Sequence, residues 1–112
     1  MPKPELEFFD PAPIPWQEIE GSGGMIHEKI LSLDPDTGDY TRVLEFKPGT
    51  RTTETLVHEF WEEVWIISGS LNDLGKNEHY PAGTYACRPP GMTHGPYDIP
   101  EGCMTFEIRY YK

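Results

Sequence analysis

Three side chains in this sequence have the types and spacing to hold a divalent metal ion: His58, Glu62 and His94. They sit in two blocks, GTRTTETLVHEFWEEVWIISG from Gly49 to Gly69 and PAGTYACRPPGMTHGP from Pro81 to Pro96. In the first block, Thr55 to Phe60 and Val64 to Ile67 are rich in β-branched and aromatic residues, with Glu59, Glu62 and Glu63 among them. That pattern predicts two antiparallel strands joined by a short turn. Paired strands lie ~4.8 Å apart, so His58 near the end of one and Glu62 near the start of the next would face a common point. On those two residues alone, a surface histidine paired with a glutamate is the simpler reading. Pro89, Pro90 and Gly91 change the balance, because they impose a rigid turn just before His94 and so fix a second imidazole.

The two blocks resemble the paired motifs of the cupin superfamily. The first motif there has a glycine, a His-x-His pair, a glutamate three or four residues on and a later glycine. Here Gly49, His58, Glu62 and Gly69 match it. The second has a glycine, then Pro-x-Gly, then a histidine, matched by Gly83, Pro89, Gly91 and His94. From Glu62 to the C-terminus the chain is similar, more narrowly, to cupins related to the anti-sigma factor ChrR. The matching residues are Glu62 with Glu63, Gly69, Leu71 with Asp73, Pro81 to Gly83, Pro89 to Gly91, and Gly102 with Cys103. The resemblance covers residue 25 onward and implies a single-domain, all-β, antiparallel jelly-roll barrel over 25–112, preceded by an arm and a first short strand over 1–24.

One position departs from the motif: Leu56 stands where the first histidine of His-x-His is expected. The ligand set then reduces to two histidines and one carboxylate, the composition of the facial triad of non-heme iron oxygenases. Alternatively the barrel works without metal. Glu54, with the strand parity of Leu56 and His58, and His27 on another strand are candidates for a further ligand. For His27 an ordinary hydrogen-bonded or exposed role is the simpler expectation. Fe(II) is favoured, with Zn(II), Mn(II) or Ni(II) as alternatives that ligand type does not separate.

These residues need strands to carry them. Prolines at 2, 4, 11 and 13 suit an extended N-terminal arm, packed on the barrel or a partner subunit through Phe8 and Phe9, or else frayed. Ile14 to Glu20 reads as a short strand anchored by Trp16, Met25 to Leu33 as the next, and DPDTGD at 34–39 as a hairpin turn. In Tyr40 to Lys47, Arg42 shares a face with Tyr40, Leu44 and Phe46; if that face points inward, Arg42 can hold a substrate carboxylate or enolate, and if it points outward, Arg42 is a surface residue. The strand from Glu62 to Ser68 is apolar on both faces, so its outer side is expected to meet another sheet or another chain, and the small size of the chain points to a homodimer. Leu71 to Tyr80 reads as a turn segment around Gly75, with His79 exposed. In the last strand, Met104, Phe106, Ile108 and Tyr110 are expected in the core, and Glu107 and Arg109 either on the surface, the simpler expectation, or lining the pocket. No helix of normal length is evident, and eight or more short strands fit the barrel.

The formal charge of −10 over 112 residues argues against nucleic acid or an anionic membrane as partner. Cys87 and Cys103 fit two buried thiols in a reducing compartment, and with no secretory signal or membrane-length apolar run, cytoplasm is expected. Three functional readings follow. The first is a metal-dependent oxygenase acting on a small ketone- or diketone-like compound, with Arg42, Leu56, Glu63 and Tyr85 around the pocket. The second is a non-oxidative lyase, hydratase, isomerase or decarboxylase, with Glu54 or Tyr85 moving a proton. The third, implied by the ChrR-like resemblance, is a barrel that binds or senses a small ligand.

Overall fold

The β-branched and aromatic runs fold as strands in a computed structural model that describes residues 2–111. These strands are β1 (Gln17–Glu18), β2 (Ile26–Leu33), β3 (Tyr40–Phe46), β4 (Thr50–Arg51), β5 (Leu56–Val57), β6 (Trp61–Asp73), β7 (Glu78–Pro81), β8 (Tyr85–Arg88), β9 (Thr93–His94), β10 (Tyr97–Ile99) and β11 (Cys103–Tyr110). All pairings are antiparallel, in the order β1-β2-β3-β11-β6-β10-β4, with β7 and β8 also on β6 and a small β5-β9 ladder apart. The result is the expected jelly-roll barrel. Among the described residues no helix is long and apolar enough to cross a membrane.

The long strand β6 serves both walls. Its first half pairs with β11 and β8, and its second half with β10 and β7. A bulge opposite Met104 and Thr105 leaves Ile67 as an extra residue, so the buried positions change from Glu62, Val64 and Ile66 to Leu71 and Asp73. One strand thereby keeps a single side inward across the corner. Gly69 forms that corner at φ 74°, where a Cβ would overlap the Gly102 carbonyl. Ile66, Leu71, Tyr97, Ile99 and Cys103 pack below it as the apolar core, with Phe46 and Tyr80 against them.

Several expectations are corrected. Residues 55–60 do not form a hairpin with β6; Leu56 and Val57 pair with His94 and Thr93 instead. The physical reason is edge occupancy: the start of β6 has β11 on one side and β8 on the other, leaving no free edge. The last strand is inverted. Thr105 and Glu107 are buried, while Met104, Phe106, Ile108 and Tyr110 are only half-buried on the outer side. The turn around Gly75 is shorter than expected, because β6 runs on to Asp73 and β7 begins at Glu78. The strand expected over Ile14 to Glu20 contracts to β1, with Lys29 over the Trp16 ring at 4.7 Å. Cys87 is exposed rather than buried, and both cysteines are free thiols. The Asp34–Asp39 turn closes with the Asp34 amide donating to the Asp39 carbonyl at 2.8 Å. In the arm, Lys3 donates to Thr41 Oγ1 at 2.9 Å and Lys29 reaches the carbonyls of Pro11 and Ala12, whereas Phe8 is fully exposed.

Gly69 and Gly49 both adopt positive φ, but only at Gly69 is the space for a Cβ filled by backbone. Gly49→Ala is expected to destabilise the fold by ~1–2 kcal/mol, the usual penalty of a left-handed L-residue. Gly69→Ala adds a backbone clash and should lose at least about twice that, read from urea midpoints of the two variants.

Candidate metal centre and cavity

The inner face of the first half of β6 is laid out in rows. Glu62 lies directly opposite Arg88 of β8 on one side and Arg109 of β11 on the other. Arg88 Nη1 donates to Glu62 Oε1 at 3.0 Å and Arg109 Nε to Oε2 at 3.1 Å. In the next row Glu107 lies opposite Arg42 of β3, whose Nε and Nη2 donate to Glu107 Oε1 at 3.0 and 2.8 Å, while Nη1 donates to Glu28 at 2.9 Å. Thr105 donates to the other Glu107 oxygen at 2.9 Å. Opposite charges placed directly across strands are the favourable arrangement on a sheet. Arg42 therefore points inward, as one of the two expected alternatives had it.

His94 reaches this array from β9 and His58 from just beyond β5, so the β5-β9 ladder carries both imidazoles. The Pro89–Met92 turn that leads into β9 is closed by the Met92 amide donating to Pro89, and the Gly91 amide donates to the His58 carbonyl at 2.9 Å. His58 stacks on Phe60 at 4.5 Å, and its ring lies 5.0 Å from that of His94. His94 Nδ1 is 2.6 Å from the Tyr97 hydroxyl, which also accepts from Arg88 Nη2 at 3.0 Å. His94 Nε2 lies 4.0 Å from Glu62 Oε1, too far for a hydrogen bond. It is buried and has no hydrogen-bond partner among the described residues.

Together His58, Glu62 and His94 bring one donor atom each to within 4.8 Å of one another. This cluster passes a chemical test for a metal. An orphaned buried nitrogen is costly unless it finds a partner, and in the tautomer whose Nδ1 proton goes to Tyr97, Nε2 presents a lone pair to a metal. Burial first, then the Arg88 charge, holds the His94 imidazole down at about 4, and burial also lowers His58 against the pull of Glu62. Both rings are thus neutral and able to ligate. Burial would raise the Glu62 carboxyl, but Arg109 and Arg88 outweigh it and keep it ionised. Burial raises Glu107, opposed by Arg42.

Around the cluster is a cavity of about 310 Å³, at the small end of ligand sites. Leu56, His58, Glu62, His94, Tyr97, Arg42, Arg88, Arg109, Thr105 and Glu107 line it, with Ile19, Ile26, Leu44 and Phe46 supplying apolar wall. Leu56 occupies cavity surface opposite His94. The other candidates lie elsewhere. Glu54 is exposed and borders an adjoining groove; His27 faces Glu45 at 3.9 Å and does not line the cavity. Glu63 and Tyr85 were expected at the pocket, but strand alternation turns them to the outer side, where Tyr85 and Tyr110 donate to Glu63 at 2.6 and 2.9 Å. Sequence reasoning missed Arg88 and Tyr97, and for Glu107 and Arg109 it preferred the surface to the pocket lining that the structure gives them. A usable signal existed: only four arginines occur in this acidic chain, at 42, 51, 88 and 109, and three of them line the cavity.

The model of the ChrR cupin-like domain matches residues 5–110, nearly the whole chain and more of the N-terminal arm than the sequence motifs indicated. The chain belongs to this cupin family. Comparison with curated proteins found no match. Among solved structures, an RmlC-like cupin from Shewanella frigidimarina is 18% identical, with a TM-score of 0.76, covering 100% of this chain and 96% of that one. An acetylacetone dioxygenase from Acinetobacter johnsonii is 16% identical with a TM-score of 0.76, covering 96% of this cupin and 75% of the dioxygenase. KdgF from Halomonas sp. is 18% identical with a TM-score of 0.73, each chain covered to 96%. At these identities the likeness is one of fold.

The depressed His94 titration gives a pH dependence. An unfolded histidine takes up its proton near pH 6.5, whereas folded His94 resists it down to about 4. Stability of the metal-free protein is therefore full above about pH 6.5 and falls as pH drops, by at most about 3 kcal/mol from this group. Urea midpoints at pH 7.5 and 5 should differ in the wild type and differ less in His94→Gln.

Proposed function

We propose that this cupin is a metal-dependent enzyme acting on a small oxygenated compound of ketone or diketone type, with His58, Glu62 and His94 as the metal ligands. The observation that carries the reading is the buried, unpartnered Nε2 of His94, converging with His58 and an ionised Glu62 on one point at the edge of a ligand-sized cavity. Two histidines and a carboxylate favour an iron-dependent oxygenase, and an acetylacetone dioxygenase is among the proteins that share the fold. Iron held there supplies redox and Lewis-acid chemistry, whereas zinc or manganese acting as a Lewis acid alone serves the alternative lyase or isomerase.

The chain's own residues do the rest. Tyr97 orients His94, Arg88 and Arg109 keep Glu62 ionised and aimed inward, and the aliphatic wall excludes water from a bound ligand. Free thiols at Cys87 and Cys103 support a reducing compartment, the cytoplasm. Exposed Trp65, Ile67 and Tyr85 on the outside of β6 and β8 support a homodimer built on that face.

Elemental mass spectrometry on untagged protein is the direct test. Near-stoichiometric iron in the wild type, lost in His94→Ala, together with oxygen uptake on small diketones, is the expected result. Zinc or manganese without oxygen uptake would move the function to the lyase or isomerase. Metal absent from both proteins would remove the metalloenzyme reading and leave a ligand-binding barrel. For the dimer, light scattering should give twice the chain mass for the wild type and the single chain mass for Trp65→Glu; a monomeric wild type would discard it.

A further inference from the structure

The three cavity arginines are not equally paired. Arg42 has its three nitrogen donors spent on Glu107 and Glu28. Arg88 spends Nη1 on Glu62 and Nη2 on Tyr97. Arg109 donates only through Nε, and neither of its Nη atoms hydrogen-bonds a described residue. Arg88 and Arg109 moreover share the single carboxylate of Glu62. At this end of the cavity two guanidiniums thus face one carboxylate, whereas Arg42 faces two, Glu107 and Glu28.

The Arg109 guanidinium is also held in place. Its central carbon lies 4.5 Å from the Phe60 ring centroid and 5.2 Å from that of Tyr40, while Nε is tied to Glu62. Its side chain is only 21% exposed. A planar fork fixed by ring contacts, with two donors unspent at a cavity wall, matches the paired oxygens of an oxyanion. A cation with unspent donors in a largely buried site also gains most from an anionic partner.

We infer that the cavity binds its ligand as an organic oxyanion, a small carboxylate or enolate with a short aliphatic body, and that Arg109 is the residue that receives the charged oxygens. Ile19, Ile26, Leu44 and Leu56 then take the body of the ligand. The inference deepens the proposed function and rests on it only for placing the ligand beside the three-residue cluster. The charge arrangement is present without any metal.

The test therefore uses metal-stripped full-length protein and calorimetric titration. The probes are 4-methylpentanoate, the uncharged 4-methylpentanamide of the same shape, and acetylacetone at neutral and at alkaline pH, where it becomes an enolate. The wild type should bind the carboxylate at least tenfold more tightly than the amide, and Arg109→Gln should abolish that preference. Arg51→Gln, at an exposed arginine outside the cavity, should keep it. If Arg109→Gln does not fold, Arg109→Lys serves instead: it keeps the charge, loses the fork, and should reduce the preference severalfold. Acetylacetone binding that strengthens at alkaline pH in the wild type but not in the Arg109 variant would assign the enolate; a carboxylate preference alone would assign the acid. Equal affinity for acid and amide with no alkaline gain for acetylacetone, or a preference that survives at Arg109→Gln, would overturn the inference. Because no metal is present, an absent metal in the elemental measurement leaves this result standing.

Discussion

Glu62 is the group on which the barrel interior depends. A carboxylate with 3% of its surface exposed is strongly disfavoured unless paired. The pairing comes from both neighbouring strands at once, Arg88 on β8 and Arg109 on β11, each directly across from it. A slip of one residue in either ladder would turn an arginine outward and strand the carboxylate, so the same ion pairs that tolerate Glu62 also fix the register of β8-β6-β11. Glu107 and Arg42 repeat the device one row further along. The site and the scaffold are held by the same contacts.

Much of this was legible in the residues and some was not. The Pro89–Gly91 turn before His94 and the glycine at 69 announce their geometry, because proline and positive-φ glycine act locally. Strand partnership is not local. Thr55 to Phe60 has the composition of a hairpin arm, but whether β6 has a free edge depends on β8 and β11, far along the chain. The inversion of β11 has a different cause. Alternation of Met, Phe, Ile and Tyr with Thr, Glu and Arg marks two faces without saying which is inside, and the rule that polar residues face water fails where the interior is itself a polar site. The scarcity of arginine, and its place opposite glutamates, carried the missing information.

The departure at Leu56 gains meaning from the same geometry. Leu56 pairs with His94 across the small ladder and adds apolar surface to the cavity instead of a third imidazole. The cluster is left with two neutral nitrogens and one carboxylate whose charge is drawn on by two guanidiniums. Such a set offers one imidazole fewer than the three histidines and one glutamate of the cupin motif. A cation held by it keeps more of its own positive character toward whatever occupies the cavity.

The mounting of the two imidazoles has a further consequence. β5 and β9 pair with each other over two residues each and lie outside the large sheet, whereas Glu62 is in the middle of its longest strand. The small ladder therefore carries His94, and His58 just beyond β5, while Glu62 stands on the frame, which also holds the His94 ring through Tyr97. Outward movement of that ladder would break the His94–Tyr97 contact and carry both imidazoles away from the carboxylate together. Exchange of a bound ion with solvent would then be governed by breathing of this two-rung ladder, at a fraction of the free energy needed to unfold the barrel.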